Sequence, residues 1–221
     1  AMARVAPLLS TDEREHAARF RFAHDQQRYT VAHAFVRHVL GAYLGVAPLG
    51  LTFAVGPQGK PSLVHQSGQP DLRFNLSHSH DRALLAVVLD REVGVDVEFA
   101  RPLEDADVIA TQFFSLAERA ALQTLSASEK QAAFYRCWSR KEAVIKVMGL
   151  GLSMPLDGFD VTLTPDAPAR LLAVRGAVAT QGPWELYDLP PLPGFASAVV
   201  VAGGPLDAIE CYSWDVESNL A

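Results

Sequence analysis

The period of the apolar positions changes several times along the chain, and each change marks an element. Ser10-x-x-Glu13 has the form of a capping box, and a helical pattern follows it, interrupted near Ala23–Asp25 and resuming through Arg28–Leu44 with one apolar face. A short strand around Leu51–Val55 gives way to turns at Gly56-Pro57 and Gly59-Lys60-Pro61, then to the loop-rich stretch Gln66–Asp71. Arg73–Leu76, Ala83–Leu89 and Val93–Glu98 read as strands, the last two joined by a tight turn at Asp90–Glu92. After Arg101-Pro102 the pattern restarts. Ser115-x-x-Glu118 is a second capping box opening a short helix, and Gln131–Met148 is the strongest helical pattern of all, stopped by Gly149 and Gly151. Beyond it, Phe159–Leu163, Ala169–Val174, Trp184–Leu189, Phe195–Ala202 and Ile209–Trp214 read as strands, with Gly203-Gly204-Pro205 turning the last pair. Helix then sheet, twice over, predicts an α+β protein of two halves, 1–100 and 101–221, with a boundary near Phe99–Glu104.

Two of these elements align chemistry as well as apolar surface. At 3.6 residues per turn, Trp138, Glu142 and Lys146 fall on one helix face, each four residues from the last. In Gly94-Val95-Asp96-Val97-Glu98, strand periodicity sends Asp96 and Glu98 to the same side of a sheet, roughly 6.5–7 Å apart along the chain. Three carboxylates can serve a magnesium ion, which wants oxygen ligands at ~2.0–2.1 Å and uses carboxylates together with substrate phosphates. Blander readings stand beside this one. Asp96 and Glu98 also suit a solvated strand face, and Glu142 with Lys146 is also an i,i+4 pair worth ~0.2–0.5 kcal/mol. Trp138 is read as core that fixes the helix and orients Glu142. Lys141 lies about 100° around the helix from Glu142, at the rim of that face or simply solvated. Glu118 is a cap acceptor or a second base candidate.

Composition narrows the function. With 221 residues and 49% hydrophobic content, the chain is long and apolar enough for a substantial core. A net charge of −6 argues against a general nucleic-acid binder, which would show a basic field. Cys137 and Cys211 are too few for a disulfide framework and have no zinc-ligand spacing, which suits a reducing cytoplasm. Residues 1–20 carry Asp12, Glu13, Arg14 and Glu15 and no apolar core of signal-peptide length. The longest apolar runs, Ala83–Leu89 and Ala196–Ala202, fall far short of the ~20 residues that span a bilayer as a helix, so no membrane role is expected. Only four lysines stand beside fifteen arginines, and three of the four, Lys60, Lys141 and Lys146, fall inside motifs. A compact ammonium at those places is not mimicked by arginine's planar fork.

Those motifs carry a resemblance. Gly59-Lys60-Pro61, Phe74-Asn75-Leu76-Ser77-His78-Ser79, Gly94-Val95-Asp96-Val97-Glu98 and Trp138-x-x-Lys141-Glu142-Ala143-x-x-Lys146 are similar in order and spacing to those of the 4′-phosphopantetheinyl transferases, in their larger single-chain, surfactin-synthetase-activating type. The resemblance implies two similar α+β halves related by pseudo-two-fold symmetry, with coenzyme A in the cleft between them. It implies magnesium-dependent transfer of 4′-phosphopantetheine from coenzyme A to a serine of an acyl, peptidyl or aryl carrier protein, releasing adenosine 3′,5′-bisphosphate. Fatty-acid, polyketide and nonribosomal peptide carriers all stay open.

By the same resemblance, Asp96, Glu98 and Glu142 hold magnesium and Lys146 leans toward the diphosphate. Glu142, directly or through water, or else Glu118, takes the serine proton. Ser77 and His78 bind the 3′-phosphate of coenzyme A with Lys60 nearby, Arg28 contacts the same phosphate, and Lys141 reaches phosphates or carrier from the rim. Because the cleft is internal to one chain, a monomer is expected. The alternative from another class is a non-catalytic module that binds coenzyme A or carrier proteins. A magnesium-dependent phosphohydrolase is a third possibility and lacks a metal-cluster motif of the hydrolase kind.

Overall fold

The structure is a computed structural model that describes residues 2–149, 151, 154–176 and 183–219. The order of helix followed by antiparallel strands occurs twice along the chain, each time behind a 22-residue helix, so the α+β class stands. By contacts, the chain divides into two compact units: Ala1–Ala54 with Ser62–Asp71 and Ala208–Ala221, and Val55–Pro61 with Leu72–Asp207. This division by contacts is distinct from the division by element order at residue 100.

The first unit is helical, with α1 (Met2–Val5), α2 (Thr11–Ala18) and α3 (Ala23–Leu44). The capping box forms as expected: the Glu13 amide donates to Ser10 Oγ at 3.2 Å and the Ser10 amide to Glu13 Oε2 at 2.8 Å. The break between the helices falls at 19–22, earlier than the pattern placed it, and α3 already runs from Ala23. Glu13 also takes Arg37 Nε at 2.6 Å and lies 3.1 Å from His33 Nδ1. Burial pushes its pKa up, but the bonds from His33, Arg37 and Ser10 prevail and lower it to about 2. Val5, Leu9 and Ala34 form the core of this unit, and Trp214 packs against it. Ile209–Trp214 is therefore not the strand its alternation suggested. It pairs with no described strand, and it serves to place the Trp214 ring 5.1 Å from that of Phe35.

The chain passes between the units in the short segments β1 (Phe53–Val55) and β2 (Pro61–Leu63), the second of which the pattern did not reveal. The second unit holds β3 (Leu72–Ser79), β4 (Arg82–Leu89) and β5 (Val93–Phe99), then α4 (Ala106–Phe113), α5 (Leu116–Gln123) and α6 (Ala127–Met148). β6 (Phe159–Val161), β7 (Leu171–Val174), β8 (Trp184–Asp188) and β9 (Phe195–Ala202) follow, and α7 (Val216–Asn219) closes the first unit. Helix α4 was not anticipated, and α6 starts four residues before the expected Gln131.

Three sheets matter here: β3–β4, β6–β7 and the three-stranded β5-β9-β8, all antiparallel. β5 is buried on both faces. Val93 and Val95 pack with Val199 and Val201 against Leu84, Ala86 and Val88 of β4. Gly94 lies on the opposite face, under α6, where Ala143, Val144 and Val147 join Ala198 and Val200 in the main core. Helix α6 ends at Gly149 in the left-handed region with φ 66°, its amide closing onto the Ile145 carbonyl at 3.1 Å.

Candidate active site

Glycine at position 94 sets the site. A Cβ there would stand 2.2 Å from the Ala143 carbonyl oxygen and 2.3 Å from the Val147 amide nitrogen, so only glycine lets α6 lie this close on β5. Two and four residues on, Asp96 and Glu98 reach the Trp138, Glu142 and Lys146 face of the helix. Lys146 Nζ donates to Asp96 Oδ1 at 2.6 Å and to Ser77 Oγ at 2.9 Å. Ser77 Oγ lies 3.0 Å from the same Asp96 oxygen. The other oxygen, Asp96 Oδ2, is buried with no hydrogen-bond partner among the described residues. Glu98 accepts from Ser79 Oγ at 3.1 Å, and the nearby Trp138 indole favours its ionised form. The Glu142 side chain is half-buried and makes no hydrogen bond among the described residues.

All three carboxyls are pushed above the ordinary carboxylate range, in each case mainly by burial. The charge of Asp96 adds to the rise at Glu98 and Glu142, whereas the Lys146 ammonium opposes it at all three. Three partly dehydrated carboxylates facing one ammonium leave negative charge uncompensated, and Asp96 Oδ2 is a hard oxygen with nothing to bind. That donor set fits a hard divalent cation. The fit is of chemistry alone: among the described residues, no group of three or more His, Cys, Asp or Glu side chains has the geometry that could hold a metal ion. Lys146 at Asp96 fills part of that role.

Of the remaining expected site residues, Ser77 joins this cluster and the others fall elsewhere. Lys141 is fully buried, donating to the carbonyls of Leu156 and Phe159, each at 2.7 Å, and pairing with Glu118 Oε2 at 2.9 Å. Glu118, 2% exposed, also takes the Ser115 amide at 2.9 Å and the Val161 amide at 2.8 Å. Neither can meet a substrate: the capping-box reading of Glu118 holds, and the rim role of Lys141 is corrected to an interior tie between α5, α6 and β6. Ser77 and His78, adjacent in β3, point to opposite sides, so Ser77 is buried on Asp96 and Lys146 while His78 is exposed. Lys60 Nζ bridges Glu92 Oε2 at 2.9 Å and the carbonyls of Val93 at 3.1 Å and Val147 at 3.3 Å. Arg28, in the first unit, is exposed and 4.0 Å from Asp25. Trp138 is partly buried and packs against the main core, stacked with Phe134 and edge-on to Phe113. Ser79 and Asn75 were missed as contributors. The signal for them was a polar residue at every second position of β3, alternating with Leu72, Phe74 and Leu76.

The arrangement is an acidic site shared by a strand and a helix in an α+β frame. Residues 92–197 match the family model of the 4′-phosphopantetheinyl transferase superfamily, and residues 1–89 that of 4′-phosphopantetheinyl transferase, N-terminal. The 4′-phosphopantetheinyl transferase HetI of Nostoc sp. (strain PCC 7120 / SAG 25.82 / UTEX 2576) is 38% identical over 199 residues, 90% of this chain and 81% of that protein. The 4′-phosphopantetheinyl transferase Sfp of Bacillus subtilis (strain 168) is 33% identical over 168 residues, 76% of this chain and 72% of that one. The chain belongs to the 4′-phosphopantetheinyl transferase family and is an enzyme of that class. A solved holo-(acyl-carrier-protein) synthase from Bacillus anthracis str. Ames, in complex with CoA (3′,5′-ADP), is 20% identical with a TM-score of 0.42, over 50% of this chain and 94% of that chain. No helix among the described residues is long and apolar enough to cross a membrane.

Proposed function

We propose that this chain moves 4′-phosphopantetheine from coenzyme A to a serine hydroxyl of an apo carrier protein, with magnesium, and releases adenosine 3′,5′-bisphosphate. The observation that carries the metal part of this reading is the buried, unpartnered Asp96 Oδ2 beside Glu98 and Glu142. Those three side chains would hold the ion. When bound, magnesium supplies charge stabilisation and orientation to the diphosphate oxygens.

The chain's own residues divide the remaining work. Phosphoryl transfer asks a protein mainly for in-line positioning and for charge placed where it develops. The serine oxygen forms its bond to the phosphorus that carries pantetheine, the anhydride P–O bond breaks, and the electron pair leaves on the nucleotide phosphate. Lys146 lies within hydrogen-bond reach of Asp96 and supplies positive charge to the leaving side. Glu142, raised in pKa and making no hydrogen bond among the described residues, is the carboxylate suited to take the serine proton. Glu118 is released from that role by its pairing with Lys141. His78, Lys60 and Arg28 are the proposed contacts to the 3′-phosphate. On this reading residues 1–100 supply phosphate contacts and the two strand carboxylates, residues 101–221 supply the catalytic helix, and the enzyme acts as a cytoplasmic monomer.

A non-catalytic module binding coenzyme A or a carrier has no need to bury three like charges around one lysine. The test is direct: the protein is incubated with magnesium, coenzyme A and an apo carrier protein, and the carrier is weighed. A mass gain of one phosphopantetheine that disappears with chelator supports the reading. An unmodified carrier under conditions where a known transferase modifies it would leave only the binding module.

A further inference from the structure

Among the described residues β5 is an edge strand of its sheet, yet three of its outward amides are satisfied. The Val95 amide donates to Asn75 Oδ1 at 2.8 Å, the Val97 amide to Ser77 Oγ at 3.3 Å and the Phe99 amide to Ser79 Oγ at 3.1 Å. Every second side chain of β3 thus replaces a ladder acceptor on β5. At two of these three positions the same hydroxyl also donates to the carboxylate in between: Ser77 to Asp96 at 3.0 Å and Ser79 to Glu98 at 3.1 Å. A hydroxyl has one proton and two lone pairs, so it can accept from an amide while donating to a carboxylate. Asn75 has no carboxylate partner in this arrangement, because position 94 is glycine.

We infer that Asn75, Ser77 and Ser79 form a polar rail along β5, and that Ser79 is a positioning residue that fixes the Glu98 carboxylate for the divalent cation. This rests on the metal role proposed above. Each serine is anchored to the backbone amide one residue beyond the carboxylate it holds, which ties rotamer to strand. Residues that orient a metal ligand from behind typically change metal affinity by 10–100-fold when removed. A hydroxyl that only closed the sheet edge would change stability and leave the metal alone.

The protein is titrated with Mn2+, followed by water-proton relaxation, and separately with coenzyme A in the presence of chelator. Ser79→Ala is expected to weaken Mn2+ about tenfold, with coenzyme A affinity in chelator unchanged, and Ser79→Thr, which keeps the hydroxyl, is expected to restore it. Asn75→Ala, on the same rail without a carboxylate, is expected to lower the melting temperature and leave Mn2+ affinity within twofold. The inference is overturned if Ser79→Ala stays within twofold of wild type, if threonine fails to rescue, or if Asn75→Ala weakens Mn2+ as much as Ser79→Ala. Wild-type protein that binds no Mn2+ would overturn the metal site itself, a different failure from loss of the serine effect.

Discussion

Gly94 lies beneath Ala143 so closely that a methyl group at position 94 would come within 2.2 Å of the Ala143 carbonyl oxygen. The contact is backbone to backbone, so no side chain can swing away to relieve it. Gly94→Ala is therefore expected to lift α6 from β5 and to cost roughly 1–3 kcal/mol or more, as overpacked cores do. Because Glu142 and Lys146 ride on that helix, the folded fraction should also bind Mn2+ more weakly. Urea denaturation and Mn2+ titration on the same preparation check both. A variant with unchanged stability and metal affinity would refute the close-approach account.

Glu142→Gln is expected to abolish transfer while leaving the fold intact. Glutamine keeps size and helix propensity but removes the charge. In metal-free buffer the variant should melt at or above the wild-type temperature, since burial and the nearby Asp96 charge already disfavour ionised Glu142. Transfer within a few-fold of wild type at saturating magnesium, or a clear drop in melting temperature, would remove Glu142 from the role proposed.

The same shift has a pH signature of definite sign. A carboxyl whose folded pKa lies above its unfolded value binds more protons folded than unfolded, so stability falls as pH climbs through that interval. Asp96, Glu98 and Glu142 all act in this direction. The melting temperature of Glu142→Gln minus that of wild type, in chelator, should therefore grow as pH rises from the ordinary glutamate range upward. Glu13 acts oppositely: lowered to about 2, it stabilises above the ordinary glutamate range and loses that contribution as pH falls toward its folded value. Glu13→Gln should accordingly narrow its deficit against wild type on acidification. A flat difference for either variant would contradict the shift assigned to it.

Much of this was legible in residue order. The 3.6 period put Trp138, Glu142 and Lys146 on one face, and the 2.0 period put Asp96 and Glu98 on one side. What periodicity could not say is which neighbour each polar atom meets. Lys141 stands in a motif beside Glu142 and reads as a rim lysine, yet it is fully buried because Glu118 and two carbonyls satisfy it. Ser77 read as a phosphate ligand, whereas alternation in β3 turns it onto Asp96 and leaves His78 outward. Ile209–Trp214 alternates like a strand, but alternation alone supplies no partner to pair with.

The buried pair makes its own prediction. Lys141→Met leaves Glu118 charged and unpaired inside the protein, and Glu118→Leu does the same to Lys141, so each should cost about 3–5 kcal/mol. The double variant should be less destabilised than the sum, with a coupling of roughly 1–3 kcal/mol. Denaturant titration of the four proteins reads the cycle. Simple additivity would mean that the 2.9 Å contact carries no energy, and it would reopen a surface role for Lys141.

His78 and Lys60 separate binding from architecture. His78 is exposed on β3, so His78→Ala should leave stability within about 0.5 kcal/mol of wild type, as surface changes do. If it contacts the 3′-phosphate, it should weaken coenzyme A and leave 3′-dephospho-coenzyme A unaffected, because the lost charge-assisted bond is to the missing group. Lys60 differs in that its ammonium holds the Val93 and Val147 carbonyls as well as Glu92, at the start of β5 and the end of α6. Lys60→Ala should lower stability as well as coenzyme A affinity, and its loss toward 3′-dephospho-coenzyme A should be the smaller of the two. Calorimetry with both ligands, beside a melting curve for each variant, decides between the roles. Equal losses for the two ligands at His78 would place the 3′-phosphate elsewhere, and an unchanged melting curve for Lys60→Ala would deny it the structural tie between β5 and α6.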